Sequence, residues 1–230
     1  MNAMECSREL KMSDTFKKSL YKHFAQVAKA LSNGYRLEII ELLAQCEYSV
    51  DALADLTGLS VANTSHHLQQ LKHAGLVNTR KKDQWVYYQV SNDDVLSLVA
   101  SLRQVSERHI EAVDDLVNGY LHKRDSLEPV RLSELRELLK TGRVTLIDVR
   151  PESEYRSGHV VGAANFPLNK LKYNLDHLDQ NREIVAYCRG PFCVLAFDAV
   201  RYLRKKGFVA HRLEGGFPEW YQAGLPVEAS

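Results

Sequence analysis

The sequence predicts two folded domains, a mainly α-helical domain followed by an α/β domain with a parallel sheet. The chain has 230 residues, and a globular domain usually has about 100 to 200. Apolar residues recur at helical spacing in the first half, whereas short apolar runs alternate with helical segments in the second half. A polar segment ending in proline, HKRDSLEP at 122–129, separates the two patterns. We therefore predict a flexible N-terminus (1–14), a first domain (15–121), a linker (122–128) and a second domain (129–230).

The composition is that of an ordinary folded protein. Hydrophobic residues make up 45% of the chain and charged residues 26%, which excludes collagen-like and wholly disordered chains. The formal net charge of +1 means that any basic surface must be local. No apolar run approaches the ~18 residues that span a bilayer, and no secretory signal is present, so we expect a cytoplasmic protein without a membrane segment. The four cysteines are too few for a disulfide scaffold.

Helical spacing predicts the elements of the first domain in order. Apolar residues every three or four positions predict a helix over 16–31, and a second, more buried helix follows it. Ser49 caps a short third helix that ends at Gly58. Ser60 caps a longer fourth helix that ends at Gly75. Two helices joined by a tight glycine-containing turn are typical of a helix-turn-helix.

A β-hairpin and a long helix are predicted to complete this domain. Two runs rich in Val, Tyr and Trp flank the polar break Lys82-Asp83-Gln84, which indicates a hairpin, or wing. Ser91-Asn92-Asp93-Asp94 caps a long helix with apolar residues at helical spacing as far as about His122. That helix is longer than packing within one small domain requires, so we expect it to mediate dimerisation. The alternative is that it forms a bridge to the next domain.

The fourth helix presents a polar face suited to reading DNA. With Leu68 facing the core, Asn63, His66 and Gln70 face the opposite way. Asn and Gln can pair bidentately with adenine in the major groove. No acidic residue lies between Leu56 and Lys82, and the basic wing tip can neutralise phosphates. A solvated surface would explain the helix alone, but the acid-free window and the adjoining wing favour DNA binding.

The segment LSVANTSHHLQQLKHAGLVNTRKKDQWVYYQVS resembles the ArsR-type winged helix-turn-helix repressors, and the resemblance extends over residues 15 to about 120. It implies a homodimer bound to double-stranded, pseudo-palindromic operator DNA. It also implies that Ser65, His66 and His67 occupy the recognition-helix contact positions. The candidate DNA-binding residues are then Asn63, Ser65, His66, His67, Gln70, Lys72, Arg80, Lys81 and Lys82.

Metal ligands used by many members of that family are mostly missing. The stretch EYSVDAL has no thiols where arsenic and cadmium sensors carry paired cysteines, and thiolates are what soft metals require. Glu107 and His109 match half of an alternative site on the terminal helices, but Tyr120 and Lys123 stand where a second pair of ligands is needed. We expect neither a metal nor a cofactor.

The second domain is predicted to alternate helices with short buried strands, which implies a parallel sheet with helices on both faces. The predicted elements are a helix around 132–139, the strand VTLIDV, a turn with Pro151, a short strand near 163–166, a helical segment about Leu171, the strand EIVAY, a helix over 194–206, the strand FVAHRL and a helix near 218–223.

A cysteine-bearing loop follows the strand EIVAY and precedes a helix. Cys188 at the carboxyl end of a strand faces backbone N–H groups and a positive helix end, so its thiolate is favoured. We expect this sulfur to be held by main-chain amides as an anion open to solvent. Arg189 adds a cation for an anionic substrate, Gly190 lets the backbone turn inward, and Pro191 stiffens the bend. A buried inert thiol is the alternative for a cysteine at such a position.

Three segments resemble the rhodanese family: LIDVRPESEYRSGHVVGAANFP, VAYCRGPFC and LEGGFPEW, within residues 128 to 228. The resemblance implies a rhodanese-like fold in which Cys188 is the sulfur-accepting nucleophile and Asp148 and Arg150 support the site. The implied reaction moves sulfane sulfur from thiosulfate or a polysulfide, through a Cys188 persulfide, to a thiol or cyanide. The candidate substrate-binding residues are Arg189, Gly190, Pro191, Phe192, Cys193 and Val194.

The loop departs from the commoner rhodanese pattern, because Gly is third, Pro is fourth and Cys193 ends it. A related phosphatase loop ends in Arg where Val194 stands here, so we set phosphatase activity aside. Two roles for Cys193 stay open. It is either a small side chain in the first helical turn or a resolving thiol that forms a disulfide or polysulfide with Cys188.

The sequence favours a transcriptional repressor whose second domain senses or processes reactive sulfur, since the metal ligands are absent. A sulfurtransferase enzyme, with the winged helix serving for dimerisation or localisation, is the main alternative. A third hypothesis keeps the rhodanese fold only as a docking module.

Overall fold

The protein is described by a computed structural model that covers residues 3–122 and 129–229, with the backbone alone for 3–13 and 122. The chain separates into two compact units. The first unit consists of Met1–Leu43 and Glu47–Val95, and the second of Ala44–Cys46 and Leu96–Ser230. Nearly all of the predicted linker (122–128) lies outside the described residues, and the predicted domain boundaries stay a prediction.

The first unit contains the predicted helices and hairpin. Its elements are α1 (Ala3–Leu31), α2 (Gly34–Leu43), β1 (Tyr48–Ser49), α3 (Val50–Thr57), α4 (Val61–His73), β2 (Val77–Lys82) and β3 (Trp85–Val90). Helix α1 begins at Ala3 instead of near residue 16, so most of the segment predicted as flexible, 1–14, is helical. This part of the sequence is rich in Glu, Lys, Arg, Leu and Met, which are good helix formers.

Local capping produces the helix-turn-helix as predicted. The Ser49 hydroxyl accepts a hydrogen bond from the N–H of Ala52 at 3.2 Å, and the Ser60 hydroxyl accepts one from Asn63 at 3.3 Å. These bonds satisfy donors that a helix start leaves unpaired. Gly58 ends α3 in the left-handed region, with φ 69°, which lets the chain turn directly into α4.

The wing is an antiparallel hairpin within a three-stranded sheet of order β1-β3-β2. Strands β2 and β3 pair from Val77 opposite Val90 to Lys82 opposite Trp85. The two residues between them make the tight turn, in which Asp83 adopts φ 54°. Asp is one of the residues that tolerate this region, so the polar break in the sequence forms the tip of the wing.

The predicted long helix is divided at Ile110. Helix α5 spans Asp93–His109, α6 spans Glu111–Leu116, and a π-helical segment covers Val117–His122. Ile110 is extended (φ −115°, ψ 99°), and its carbonyl accepts the N–H of Val113 at 2.9 Å as α6 begins. Within residues 3–122 and 129–229, no helix combines the length and apolar character needed to cross a membrane.

The second unit contains a parallel sheet of order β6-β4-β7-β8 with helices around it, which confirms the predicted α/β fold. Strands β5 and β9 pair antiparallel apart from this sheet. Helix α8 and strands β5 and β9 were not predicted. In chain order the elements are α7 (Leu132–Thr141), β4 (Val144–Asp148), α8 (Glu152–Ser157), β5 (His159–Val160), β6 (Ala164–Asn165), α9 (Leu168–Leu171), a 3₁₀ turn (Leu175–His177), β7 (Glu183–Tyr187), α10 (Val194–Lys205), β8 (Ala210–Arg212), α11 (Phe217–Gln222) and β9 (Val227–Glu228).

Strand β7 is buried on both faces, and this positions the loop that follows it. Ile184 and Ala186 belong to one apolar cluster, whereas Val185 and Tyr187 belong to the other. The alternation is that of a strand whose side chains point in turn to opposite faces. Because β7 lies between β4 and β8, Cys188 leaves the sheet at the carboxyl end of an interior strand.

Candidate functional site

The polar face predicted for α4 is exposed. Asn63, His66 and Gln70 are all exposed to solvent, whereas Leu68 and Leu71 are fully buried against the rest of the unit. Helix α4 follows α3 after the turn at Gly58 and precedes the wing, which is the arrangement of a recognition helix. The face carries no acidic side chain, so nothing on it repels a phosphate backbone.

Ser65 and His67 lie at the edge of that face and are half-buried. The His67 ring lies 5.9 Å from the Tyr35 ring, centroid to centroid. Burial lowers the pKa of His67, and the neighbouring charges of Arg36 and His66 add to that effect. His67 is thus held in its neutral form near pH 7, and its predicted contact with DNA stays a prediction.

The wing's charges are not equivalent. Lys81 and Lys82 are exposed. Arg80 instead forms a bidentate ion pair with Glu47, in which the Nε of Arg80 lies 2.8 Å from one carboxylate oxygen. The hydrogen bonds from Arg80 lower the pKa of Glu47, so the carboxylate stays charged and balances Arg80. Sequence reasoning missed this pair because Glu47 lies outside the acid-free window. The Lys72 amine donates a hydrogen bond to the Thr79 hydroxyl at 3.0 Å, which links α4 to the wing.

The Cys188 loop contains a β-turn. The N–H of Cys193 donates to the carbonyl of Gly190 at 3.1 Å, with Pro191 and Phe192 as the central residues. Proline at the second turn position is favoured because its fixed φ suits that conformation. The turn brings the chain back on itself, and α10 starts at Val194 immediately afterwards.

The structure of Cys188 differs from the solvent-exposed thiolate that the sequence predicts. Cys188 is fully buried, with an exposure of 0%. Its sulfur is bonded to that of Cys193, with 6.1 Å between the two Cα atoms. The expectation of a sulfur open to solvent is therefore wrong for this oxidised form, because the Gly190–Cys193 turn places a second thiol against the first. Cys193 itself is half-buried.

Arg189 is engaged within the protein. Its guanidinium pairs with the carboxylate of Glu154 at 2.5 Å, and that carboxylate is fully buried. The charge that was expected to attract an anionic substrate is thus already matched by an acid on α8. Binding of substrate by Arg189 stays a prediction, and Glu154 was missed because nothing local marks it as the partner of a residue 35 positions away.

A second arginine, Arg150, supports the loop from within. Its guanidinium lies 2.6 Å from Asp148, and both side chains are completely excluded from solvent. It also donates to the carbonyl of Gly158 at 2.7 Å and to the side chain of Gln45, which belongs to the same unit, at 3.0 Å. Burial alone would lower the pKa of Arg150, but the hydrogen bonds and charge of Asp148 raise it above its usual value. The guanidinium therefore stays charged.

The C-terminal LEGGFPEW segment holds the loop from the other side. The N–H of Phe217 donates to the carbonyl of Cys188 at 2.9 Å, and the Phe217 ring lies 4.3 Å from the Arg150 guanidinium carbon. Gly216 approaches the loop so closely that a Cβ there would overlap the backbone of residues 188 to 190, coming within 2.7 Å of the carbonyl carbon of Arg189. Only glycine fits this contact.

Comparison with known proteins assigns both halves of the chain. Residues 33–79 match the arsR family of bacterial regulatory proteins. Residues 131–223 match the family of rhodanese-like domains. The HTH-type transcriptional regulator Rv0324 of Mycobacterium tuberculosis is 42% identical over 212 residues, which cover 92% of this chain and 93% of that protein. The chain belongs to the ArsR family of transcriptional regulators. This regulator carries its winged helix-turn-helix fused to a rhodanese-like domain.

Each half of the regulator also has relatives of its own. The thiosulfate sulfurtransferase GlpE of Shewanella oneidensis is 26% identical over 99 residues, covering 43% of this chain and 96% of that protein. A solution structure of a homodimeric winged helix-turn-helix domain, fragment 1–100 of Mb0332 from Mycobacterium bovis, is 41% identical. It covers 41% of this chain and 87% of that fragment, with a TM-score of 0.39. Among the regulator's described residues, no cluster of three or more His, Cys, Asp or Glu side chains is placed to hold a metal ion.

Replacing Arg150 by methionine is expected to destabilise the second unit by about 3 to 5 kcal/mol, because Asp148 would be left as a buried charge without its partner. Thermal or urea unfolding of the full chain measures the effect. Arg156→Met is the matched control, since Arg156 forms an exposed pair with Glu152 that contributes at most about 1 kcal/mol. Equal, small losses in both variants would contradict the role assigned to the buried pair.

Replacing Gly216 by alanine is expected to cost about 1 to 3 kcal/mol of stability, because the added methyl group forces the Cys188 loop away from α11. Gly34→Ala is the control, as a Cβ at Gly34 meets nothing within 4 Å. Denaturant unfolding compares the two variants with the wild type. If the Gly216→Ala variant were as stable as the wild type, the loop would be able to move aside for the added methyl group without loss of stability.

Proposed function

We propose that this regulator is a cytoplasmic, homodimeric repressor that binds double-stranded operator DNA and takes up sulfane sulfur on Cys188. The sulfur comes from thiosulfate or a polysulfide and passes to a thiol, and the state of Cys188 changes the affinity for DNA. The observation that carries the proposal is the cysteine loop at the carboxyl end of β7, in a chain that also presents an exposed, acid-free recognition helix.

The DNA-binding role is supported by the distribution of polar groups on α4 and the wing. Asn63 and Gln70 offer amide groups that match the edge of adenine, and His66 lies between them on the same exposed face. Lys81 and Lys82 supply the positive charge that contacts phosphates and fixes the register of the protein on DNA.

Dimerisation is supported by exposed apolar side chains at helical spacing. On α1, Phe16, Leu20 and Phe24 recur every four residues, and Phe16 is 68% exposed. On α5, Leu98, Leu102 and Val105 are likewise exposed. Rows of exposed apolar residues on a helix mark a surface that packs against another helix. A second copy of this chain would cover the same rows on both partners, as a two-fold dimer requires.

Sulfur uptake begins from the reduced loop. The Cys188 thiolate attacks the outer sulfur of thiosulfate, the sulfur–sulfur bond of the donor breaks, and sulfite leaves with the electron pair. Helix α10, which starts after Cys193, turns its positive end toward the loop and favours the negative charge of thiolate and persulfide. A thiol acceptor then removes the outer sulfur and restores the thiolate.

The proposed wing contacts predict a graded dependence of DNA affinity on salt. Replacing Lys81 and Lys82 by glutamine should flatten the slope of log affinity against log salt by about 0.9 for each lost phosphate contact, on all sequences. Arg80→Gln should flatten it less, because Glu47 already balances Arg80. Glu47→Gln should steepen it by removing that balance. Fluorescence-anisotropy titrations at several salt concentrations measure the slopes, with Lys140→Gln as the control. An unchanged slope in the double variant would show that Lys81 and Lys82 do not contact phosphates and that DNA binds to another surface.

Coupling between Cys188 and DNA is tested by operator titrations with and without polysulfide. Treatment of the wild type is expected to change operator affinity about 5-fold to 150-fold, the span of a coupling of about 1 to 3 kcal/mol. Cys188→Ser should show no change, while its untreated affinity matches that of the reduced wild type. A wild type whose operator affinity is the same in both states would defeat the sensing proposal.

A sulfurtransferase enzyme is the second candidate, favoured by the likeness of residues in the rhodanese-like domain to thiosulfate sulfurtransferase GlpE. In that case the winged helix serves mainly for dimerisation or localisation. Steady-state turnover of thiosulfate with cyanide or a thiol separates the candidates. Rapid turnover without sequence-preferring DNA binding supports the enzyme, whereas stoichiometric uptake with specific binding supports the switch.

A further inference from the structure

We propose that Cys193 is a second catalytic cysteine, which resolves the Cys188 persulfide by closing the disulfide and releasing hydrosulfide. The proposal rests on the proposed sulfur uptake at Cys188 and deepens it. The domain would then reduce sulfane sulfur to sulfide, in addition to passing it to an external acceptor.

The turn within the loop brings the two sulfurs into bonding contact. The hydrogen bond from the N–H of Cys193 to the carbonyl of Gly190 closes the turn that returns the chain to Cys188. The carbonyl of Cys188 is held in turn by the N–H of Phe217. Because both ends of the loop are anchored, the thiolate of Cys193 is placed beside the Cys188 sulfur whenever the pair is reduced.

The position of Cys193 also favours its thiolate. It is the residue immediately before α10, a helix of 12 residues, and so lies at the positive end of the helix dipole. A thiolate is the nucleophilic form in exchange with a sulfur–sulfur bond. The same residue is therefore both adjacent to the persulfide and disposed to attack it.

In the resolving step, atoms and electrons balance between the two cysteines and the bound sulfur. The Cys193 thiolate attacks the inner sulfur of the persulfide, which is the Sγ atom of Cys188. A bond forms between the two Sγ atoms, the bond from Cys188 Sγ to the outer sulfur breaks, and the electron pair leaves with the outer sulfur as hydrosulfide. The sulfane sulfur is reduced to sulfide, and the two cysteine thiols are oxidised to the disulfide seen in the structure.

Exposure determines how the disulfide is reduced again. Cys188 is fully buried, whereas Cys193 is half-buried. A thiolate of an external dithiol therefore attacks the Cys193 sulfur, and the Cys188 thiolate leaves. The second thiol of the reductant attacks the mixed disulfide, releases Cys193 and ends as the reductant's own disulfide. Reduction from the accessible side thus returns the nucleophile needed for the next sulfur donor.

A single-turnover experiment tests the proposal with reduced, desalted full-length protein and thiosulfate, in the absence of any external thiol. Sulfite release measures uptake at Cys188, and hydrosulfide release measures resolution by Cys193. The wild type should release both in equal amounts and end as the disulfide by intact mass. Cys193→Ser should release sulfite but at least about tenfold less hydrosulfide, and should retain the mass of one added sulfur atom. Cys46→Ser, altered outside the loop, should behave as the wild type.

The outcomes separate this inference from the proposed function. Sulfite without hydrosulfide in the wild type, with a stable persulfide, would overturn the role of Cys193 and leave uptake at Cys188 intact. Hydrosulfide release from Cys193→Ser equal to that of the wild type would also overturn it. No sulfite with thiosulfate, and no added sulfur after treatment with inorganic polysulfide, would overturn both proposals. Sulfite release by Cys193→Ser itself shows that the variant is folded at its site.

Discussion

The buried ion pair of Arg150 and Asp148 is the interaction on which the cysteine loop depends. Both side chains are excluded from solvent, where a lone charge costs several kcal/mol, so each is tolerated because the other lies beside it. The same guanidinium binds the carbonyl of Gly158 and packs against the ring of Phe217, whose N–H holds the carbonyl of Cys188. One cation thereby joins the end of β4, the end of α8 and the start of α11 around the residue that bears the sulfur.

The loop's electrostatics follow from this arrangement. Arg150 is balanced by Asp148 and Arg189 by Glu154, so neither arginine brings an unmatched positive charge to the loop. In the proposed function, attraction of an anionic donor then depends on backbone N–H groups of the loop and on the positive end of α10. These groups are dipoles of fixed orientation, and they act only over a short range. If the proposed sulfur uptake occurs, these groups stabilise a charge that forms on sulfur at the loop, and they attract anions from a distance only weakly.

Elements specified by neighbouring residues were predictable from the sequence, and those specified by distant residues were not. Ser49, Gly58 and Ser60 act within one helical turn, so their caps and the helix-turn-helix could be derived directly. The polar break at Asp83 likewise identified the wing. The pairs of Arg80 with Glu47 and of Arg189 with Glu154 join residues far apart in sequence, and no local pattern announces them.

The same distinction applies to the sulfur site. The strand, the loop and the following helix could be predicted, and the resemblance pointed to Cys188 as the candidate sulfur acceptor. The burial of its sulfur could not, because it results from the turn at Pro191 together with the close approach of Gly216 from a distant segment. Likewise, the interruption at Ile110 has no glycine or proline to mark it, and short paired strands such as β5 and β9 have too few residues for a periodic pattern.

A regulator gains a definite signal if sulfur uptake ends in a disulfide. A persulfide adds one sulfur atom to a buried residue and is lost to any thiol that reaches it, so its lifetime depends on the surrounding thiols. The disulfide instead ties the end of β7 to the start of α10 by a covalent bond, and it persists until a reductant attacks the half-buried Cys193. An equilibrium in the DNA-binding half can be shifted only by as much free energy as the two states of the loop differ in their interactions. Forming the disulfide restrains the start of α10 and breaking it releases that restraint, which provides such a difference. The added sulfur atom of a persulfide changes only the packing around Cys188.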